Sequence, residues 1–442
     1  MCHTIASLQN LAIFLHCLSQ SANLNLPAPH NDRGFYLFVP GRIGHYPALK
    51  LWLGSRHIRH IIRHRAAVPT DFASDITLSQ HQLAADYSTA KTRLGLWSAV
   101  IDGALILAFT QGGLLDALGR YITASGMGTL ASGLVLISAV TLISSLVSLP
   151  ISLFSTFGIE TRFGFNKLTP RLFVLDQLKG LALGIVIGLP LVALVLWLMD
   201  ISGPLWWLWV WLVWSGFQLL MLALYPTFIA PLFNKFSPLE DEALKQRIEA
   251  LLKRTGFKSR GVFVMDGSKR SSHGNAYFTG FGQAKRIVFF DTLLKRLTPT
   301  EIEAVLAHEL GHYQRKHIVK RIVLTFALSL ALLFILGQLI HANWFYHGLG
   351  VSQSGTAMAL VLFFMAIPAF TFPLTPVSSL ISRKHEFEAD AFAASQTNAS
   401  ELIHALVKLY RDNASTLTPD PLHSAFYDSH PASLRITRLK QL

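Results

Sequence analysis

The sequence predicts an all-α polytopic membrane protein with six clear transmembrane helices and a small α+β domain on one face. Three observations predict it. The 442-residue chain has a mean hydropathy of +0.42 and only 14% charged residues, too apolar for a soluble protein of this length. Six runs, at roughly 94–116, 130–156, 180–199, 205–230, 319–341 and 357–377, reach the ~20 apolar residues that a helix needs to cross a hydrocarbon core of ~30 Å. The one long hydrophilic insertion between spans, residues 231–318, combines helical and strand-like patterns.

Residues 1–50 stay unassigned, because "LQNLAIFLHCL" is too short to span and "FYLFVPGRIGHYPALKLWL" is interrupted by Pro40, Arg42 and Pro47. No basic stretch precedes the short apolar run and no small-residue cleavage site follows it, so it does not read as a signal peptide. A basic segment, 51–93, leads into four spans over 94–230. The insertion 231–318 follows, then two spans over 319–377 and a polar segment, 378–442. There is no internal repeat of the kind that marks a duplicated transporter.

With six spans the connections alternate between two sides, and lysine and arginine follow one of them. That side holds Lys50 to Arg93, the loop with Arg162, Lys167, Arg171 and Lys179, the stretch 231–320, and the tail after Arg383. The other side holds Arg120 alone. The positive-inside rule makes the rich side cytoplasmic. The net charge of +13 is then a consequence of topology and gives no reason to expect nucleic-acid binding. The sequons at Asn398 and Asn413 fall on the same side and should carry no glycan. The only cysteines, Cys2 and Cys17, lie in the N-terminal stretch, so any metal must be held by histidines and carboxylates.

Within the insertion, "PLEDEALKQRIEALLKRTG" reads as an amphipathic helix ending at Gly256, and "GVFVMD" and "AKRIVFFD" read as short strands. Thr298, Pro299 and Glu301 then form a capping box at the start of a helix that carries "EAVLAHELGHYQRKH". His308 and His312 lie one turn apart, four residues advancing about 400°, so both imidazoles can reach one zinc ion. Glu309 lies about 100° round the helix, able to act as a base beside the ion without ligating it. The small residues Ala304, Ala307 and Gly311 suit close packing against a partner helix.

A catalytic zinc site usually has three protein ligands and one open position. The only other dense group of carboxylates on the same side is "SRKHEFEADAFAAS". Glu386 and Asp390 share a helix face there, while Glu388 points about 200° away. Glu386 is the expected third ligand, and Asp390 the expected acceptor that orients a ligand histidine.

Seven stretches in chain order, "SQHQLAADYSTAKTRLG", "IETRFGFNK", "YPTFIAPLFNKFSPL", "SSHGNAYFTGFG", "HELGHYQRKH", "EFEADAFA" and "SHPASLRI", resemble the integral-membrane CAAX prenyl proteases of type I, which are zinc metallopeptidases. The resemblance implies one Zn2+ per chain on His308, His312 and Glu386, with Glu309 as general base and Asp390 behind the ligands. It also implies that His273 and Asn275 lie beside the substrate and that Ala276, Tyr277 and Phe278 form an edge strand pairing with its backbone. His430 would stand near the scissile carbonyl, and an arginine after it, Arg435 or else Arg438, would help hold the oxyanion. The family has seven spans around a water-filled chamber with the zinc site at its cytoplasmic end. A chamber would accommodate Asp102, a charge inside a predicted span. For the missing span, either the first helix is short and proline-broken or the chain begins at a start other than the authentic one, and the second is the expectation.

The expected activity is a zinc-dependent membrane endopeptidase, an α+β zinc-protease domain on a helical bundle, cleaving near the C-terminus of protein or peptide substrates, farnesylated CAAX proteins among them. Its partners are membrane lipid and those substrates. Its expected place is a bacterial inner membrane, or the endoplasmic reticulum membrane in a eukaryote, with the site facing the cytoplasm. A quality-control metalloprotease of the HtpX type is the nearest alternative, although it would leave residues 76–230 unexplained. A transporter with an incidental metal site is the more distant one.

Overall fold

The computed structural model describes residues 32–279, 285–428 and 432–442. Helix α1 (Asp32–His64) is followed by α2 (Leu78–Phe109), the short α3 (Leu114–Ala124), α4 (Thr129–Leu153), α5 (Pro170–Leu183), α6 (Leu189–Ile201) and α7 (Trp206–Leu224). Among the described residues six helical stretches are long and apolar enough to cross a membrane: Leu78–Phe109, Thr129–Glu160, Pro170–Ile201, Gly203–Phe233, His317–Leu339 and Thr356–Gln396. Each overlaps one of the six runs expected from hydropathy, with different ends. The first expected run, 94–116, crosses a helix end at Phe109, where Gly113 takes φ +72° before α3 begins.

Two prolines are absorbed rather than breaking their spans. Pro190 and Pro226 lie at or just after π turns, Gly184–Gly188 and Tyr225–Ile229. For Pro190, the wider turn before it relieves the clash of the ring with the carbonyl one turn earlier. Helix α1 also runs without interruption through Pro40 and Pro47, where the sequence suggested a broken run. Pro47 packs on Gly103 of α2, where a Cβ would come within 3.3 Å of the ring.

Burial within the spans is uneven. Buried apolar residues gather at one end of the bundle: Phe109 at the end of α2, Leu136 in the first half of α4, Leu196 late in α6 and Trp206 at the start of α7, with Leu336 and Leu362 from the last two spans. In five of the six spans no more than 11% of the apolar window is buried. Along the rest of their length these helices expose apolar surface, as helices that face lipid do. Asp102 is exposed on α2, accepting from Ser98 Oγ at 3.3 Å. At the packed end, Arg120 is neutralised by Asp116, which also accepts from the backbone and hydroxyl of Ser352.

At the other end sits a four-stranded sheet, formed by β1 (Phe236–Pro238), β2 (Val262–Met265), β3 (Ala276–Thr279) and β4 (Arg286–Phe290) in the order β1-β2-β4-β3. β2 and β4 are parallel, and both outer strands are antiparallel to their neighbours. Helix α8 (Glu242–Thr255) packs on it and ends at Gly256, whose φ of +67° only glycine adopts without strain. The domain continues into α9 (Pro299–Gln314), which leads to the span α10 (His317–Leu339) and then to α11 (Thr356–Thr371) and α12 (Thr375–Gln396), which together make the last membrane-capable stretch. Three C-terminal helices, α13 (Ala399–Asp412), α14 (Pro421–Tyr427) and α15 (Ala432–Leu439), fold back onto it. Helix α13 braces α9 through Thr300 to Glu401 at 2.6 Å and Lys408 to Glu301 at 2.7 Å. The end of α1 is tied to α14 by Arg56, whose Nε contacts both oxygens of Asp420.

Candidate active site

Helix α9 starts where its cap demands. Thr298 Oγ1 accepts from the Glu301 backbone and Glu301 Oε2 accepts from the Thr298 backbone, the reciprocal box that stabilises a helix start by about 1 kcal/mol. Its inner face is lined by small residues. Ala304 and Ala307 are fully buried, and a Cβ on Gly311 would stand 2.8 Å from Ala389 Cα and 3.0 Å from Ala389 O on α12. That close approach brings two ligand-bearing helices together. Gly311→Ala must therefore move backbone rather than a flexible side chain, at about 1–3 kcal/mol. We expect a lower melting temperature and weaker metal binding, followed by thermal unfolding with and without chelator. An unchanged melting temperature and metal content would show that the contact is not limiting.

Across this contact the three donors converge. Ring nitrogens of His308 and His312 and a carboxylate oxygen of Glu386 all lie within 4.8 Å of one another. The two Nε2 atoms are 3.2 Å apart, and each is 3.5 Å from an oxygen of Glu386. Two donors about 2.1 Å from one tetrahedral ion stand about 3.4 Å apart, so nitrogen, nitrogen and oxygen are spaced as a zinc-type ion requires. Behind them, His308 Nδ1 is 2.8 Å from Asp390 Oδ1, which leaves Nε2 as the donor.

Arg435, on α15, is 5% exposed and fills the space between the carboxylates. Its guanidinium donates to both oxygens of Asp390, at 2.8 and 2.5 Å, and its Nη1 lies 3.4 Å from Glu386. Arg438, one turn later, lies outside over the ring of Phe387 at 4.7 Å. The structure thus brings Arg435 and not Arg438 to the ligand cluster.

Burial and then the neighbouring His308 push the imidazole of His312 down to about 3, so it is neutral, as a ligand must be. Burial and Arg435 also push His308 down, but hydrogen bonds to Asp390 and Glu386 prevail and hold it up at about 9. The pull of these carboxylates on a proton at His308 is the pull they exert on a cation. Glu309 lies beside His308 on α9, half-buried.

The remaining expected residues are spread around this centre. β3 is the edge strand and packs against α9, and among the described residues no strand pairs with its outer side. Ala276 and Phe278 pack into the domain core, whereas Tyr277 meets Phe290 edge-on on the other face. Asn275 is exposed, its Oδ1 accepting from the Ala276 backbone. His273 sits in a cluster drawn from separate parts of the chain. It stacks on Phe165 at 4.4 Å, lies 3.5 Å from Glu160 and 3.2 Å from Asn413 Oδ1, while Tyr87 and Lys91 donate to the same Glu160. This cluster anchors the segment that enters β3. His430 lies outside the described residues.

Two residues that spacing did not single out also reach the site, His317 and Glu388. His317 lies past the end of α9, where helical periodicity no longer places a side chain. Glu388 does point away from Glu386, yet it meets His317 at 2.9 Å.

Residues 57–235 match the family described as "CAAX prenyl protease N-terminal, five membrane helices", and residues 238–442 match peptidase family M48. CAAX prenyl protease 1 of Saccharomyces cerevisiae is 38% identical over 384 residues, covering 80% of this chain and 84% of that protein. The CAAX prenyl protease 1 homolog of Homo sapiens is 32% identical over 433 residues, covering 87% and 91%. The crystal structure of S. mikatae Ste24p superposes with a TM-score of 0.86 at 32% identity, covering 94% of this chain and all of that one.

Proposed function

The chain belongs to the CAAX prenyl protease 1 family, as an integral membrane metalloendopeptidase, and on that premise we propose that it uses zinc to cut substrates near a C-terminal CAAX motif. The observation that carries the reading is the meeting of His308, His312 and Glu386 between α9 and α12, with Glu309 alongside.

These three residues would hold the zinc, leaving one position for water or substrate. When bound, the ion supplies Lewis acidity toward the water and the scissile carbonyl. Glu309 accepts the proton of the attacking water and hands it to the leaving amine. Asp390 keeps His308 in the tautomer that presents Nε2. The free edge of β3 receives the substrate backbone as an added strand, with Asn275 and His273 at its start. For His430, the family resemblance implies a role near the scissile carbonyl. Arg435 is held by Asp390 and Glu386, and the resemblance implies that its charge helps to hold the oxyanion.

The site would face the cytoplasm from the endoplasmic reticulum membrane of a eukaryote or the inner membrane of a bacterium, following the basic residues. An HtpX-type reading fits less well, since the match over residues 57–235 covers the spans it would leave unexplained. A transporter reading fits less well too, because α9 and the C-terminal turns of α12 place the donors beyond the apolar length of the spans.

The test is cleavage of a farnesylated CAAX peptide by purified protein in detergent. We expect release of the C-terminal tripeptide, abolished by a zinc chelator and by Glu309→Ala. Absence of cleavage by a protein that still binds one zinc would move the substrate to unprenylated membrane proteins and leave the metal site in place.

A further inference from the structure

His312 turns one ring nitrogen to the donor cluster, its Nε2 lying 3.5 Å from Glu386 and 3.2 Å from His308 Nε2. A neutral imidazole that offers Nε2 as a ligand carries its proton on Nδ1. That Nδ1 is 2.9 Å from Nδ1 of His317. Two ring nitrogens at this distance need one donor and one acceptor, so His317 accepts at Nδ1 and carries its own proton on Nε2. Nε2 of His317 is in turn 2.9 Å from Glu388 Oε2, an acceptor. One choice, ligation through His312 Nε2, therefore sets both tautomers, and every proton in the chain has an acceptor.

The chain is also built to stay in place. His317 is 2% exposed, and His385 stacks on it at 3.9 Å with 14° between the planes. The corner between α9 and α10 is made by Lys316 at φ +56°, a left-handed conformation that costs a residue with a side chain about 1–2 kcal/mol. Without that corner His317 would continue the course of α9 and could not turn back to His312.

We propose that His317 and Glu388 are positioning residues that fix His312 as an Nε2 donor, as Asp390 fixes His308. His308 is oriented by one carboxylate directly, and His312 by another through an intervening imidazole. The proposal rests on the metal reading of the site. The competing explanation is that the His317–Glu388 pair merely ties α10 to α12. The two differ in what they predict for metal affinity at unchanged stability.

The experiment uses the full-length protein in detergent, with zinc affinity measured by competition against a chromophoric chelator. Thermal unfolding in excess chelator is measured beside it. Removing an outer partner of a ligand histidine weakens metal binding by about 10–100-fold. Glu388→Ala and His317→Phe should show a loss of this size. Glu388→Gln keeps an oxygen that accepts from His317 and should stay within a few fold of the parent. Glu388 is partly exposed on a long helix, so Glu388→Ala is the variant that folds if buried His317 tolerates no change. Parent-like zinc affinity in Glu388→Ala would overturn the proposal, and so would an equal loss in Glu388→Gln, since charge and not the hydrogen bond would then be at work. Loss of affinity in step with loss of chelator-treated stability would assign the pair to the structural tie instead. A parent protein that binds no zinc at all would overturn the metal reading itself, a result distinct from any of these.

Discussion

Glu309→Gln should leave one zinc per chain, an unchanged melting temperature and almost no turnover. The substitution keeps the shape and polarity of a half-buried side chain and removes only its capacity to take a proton. Glu309 is not in the donor cluster, which consists of His308, His312 and Glu386, so metal content should not change. A positioned base contributes about 10²–10⁴-fold to rate, and here the same group must also deliver the proton to the leaving amine, so the loss in kcat should reach the upper part of that range. KM should change little, because the edge of β3 and not Glu309 holds the substrate backbone in this reading. Elemental analysis and steady-state kinetics on one preparation decide it. Substantial turnover in a zinc-loaded Glu309→Gln protein would remove Glu309 from the mechanism and leave the ligands untouched.

The parts of this site that were legible in the sequence are those set by local rules. A capping box at Thr298 and an i, i+4 histidine pair follow from helix geometry alone, and so does the shared face of Glu386 and Asp390. Arg435 and Arg438 could not be separated by such rules, since i and i+3 share a face of α15. The difference comes from what lies opposite: Asp390 faces Arg435, and the Phe387 ring lies under Arg438. His317 and Glu388 were illegible for another reason. Their meeting depends on one non-glycine residue, Lys316, in a left-handed conformation that nothing in its neighbours announces. The prolines of α1 misled in the opposite direction. Proline interrupts most helices, but α1 keeps its course through Pro47, whose ring packs on Gly103 of α2.

Glu386→Ala should abolish metal binding, and the reason lies in how the charges are balanced. Arg435 stands between two carboxylates, with Asp390 holding both arms of its guanidinium and Glu386 3.4 Å from the third nitrogen. Removing Glu386 leaves Arg435 paired through Asp390, so the fold should survive. The donor cluster would then consist of two neutral imidazoles facing an arginine, with no anion to offset the charge of a divalent cation. Two ligands and a nearby positive charge do not make a catalytic zinc site. The effect can be read without any substrate. A ligand that binds only the folded state stabilises it by RT ln(1 + [L]/Kd), about 2.7 kcal/mol at a hundredfold excess over Kd. Added zinc should therefore raise the melting temperature of the parent and of Glu309→Gln by several degrees, and that of Glu386→Ala not at all. If zinc raises the melting temperature of Glu386→Ala as much as that of the parent, Glu386 is not the third ligand.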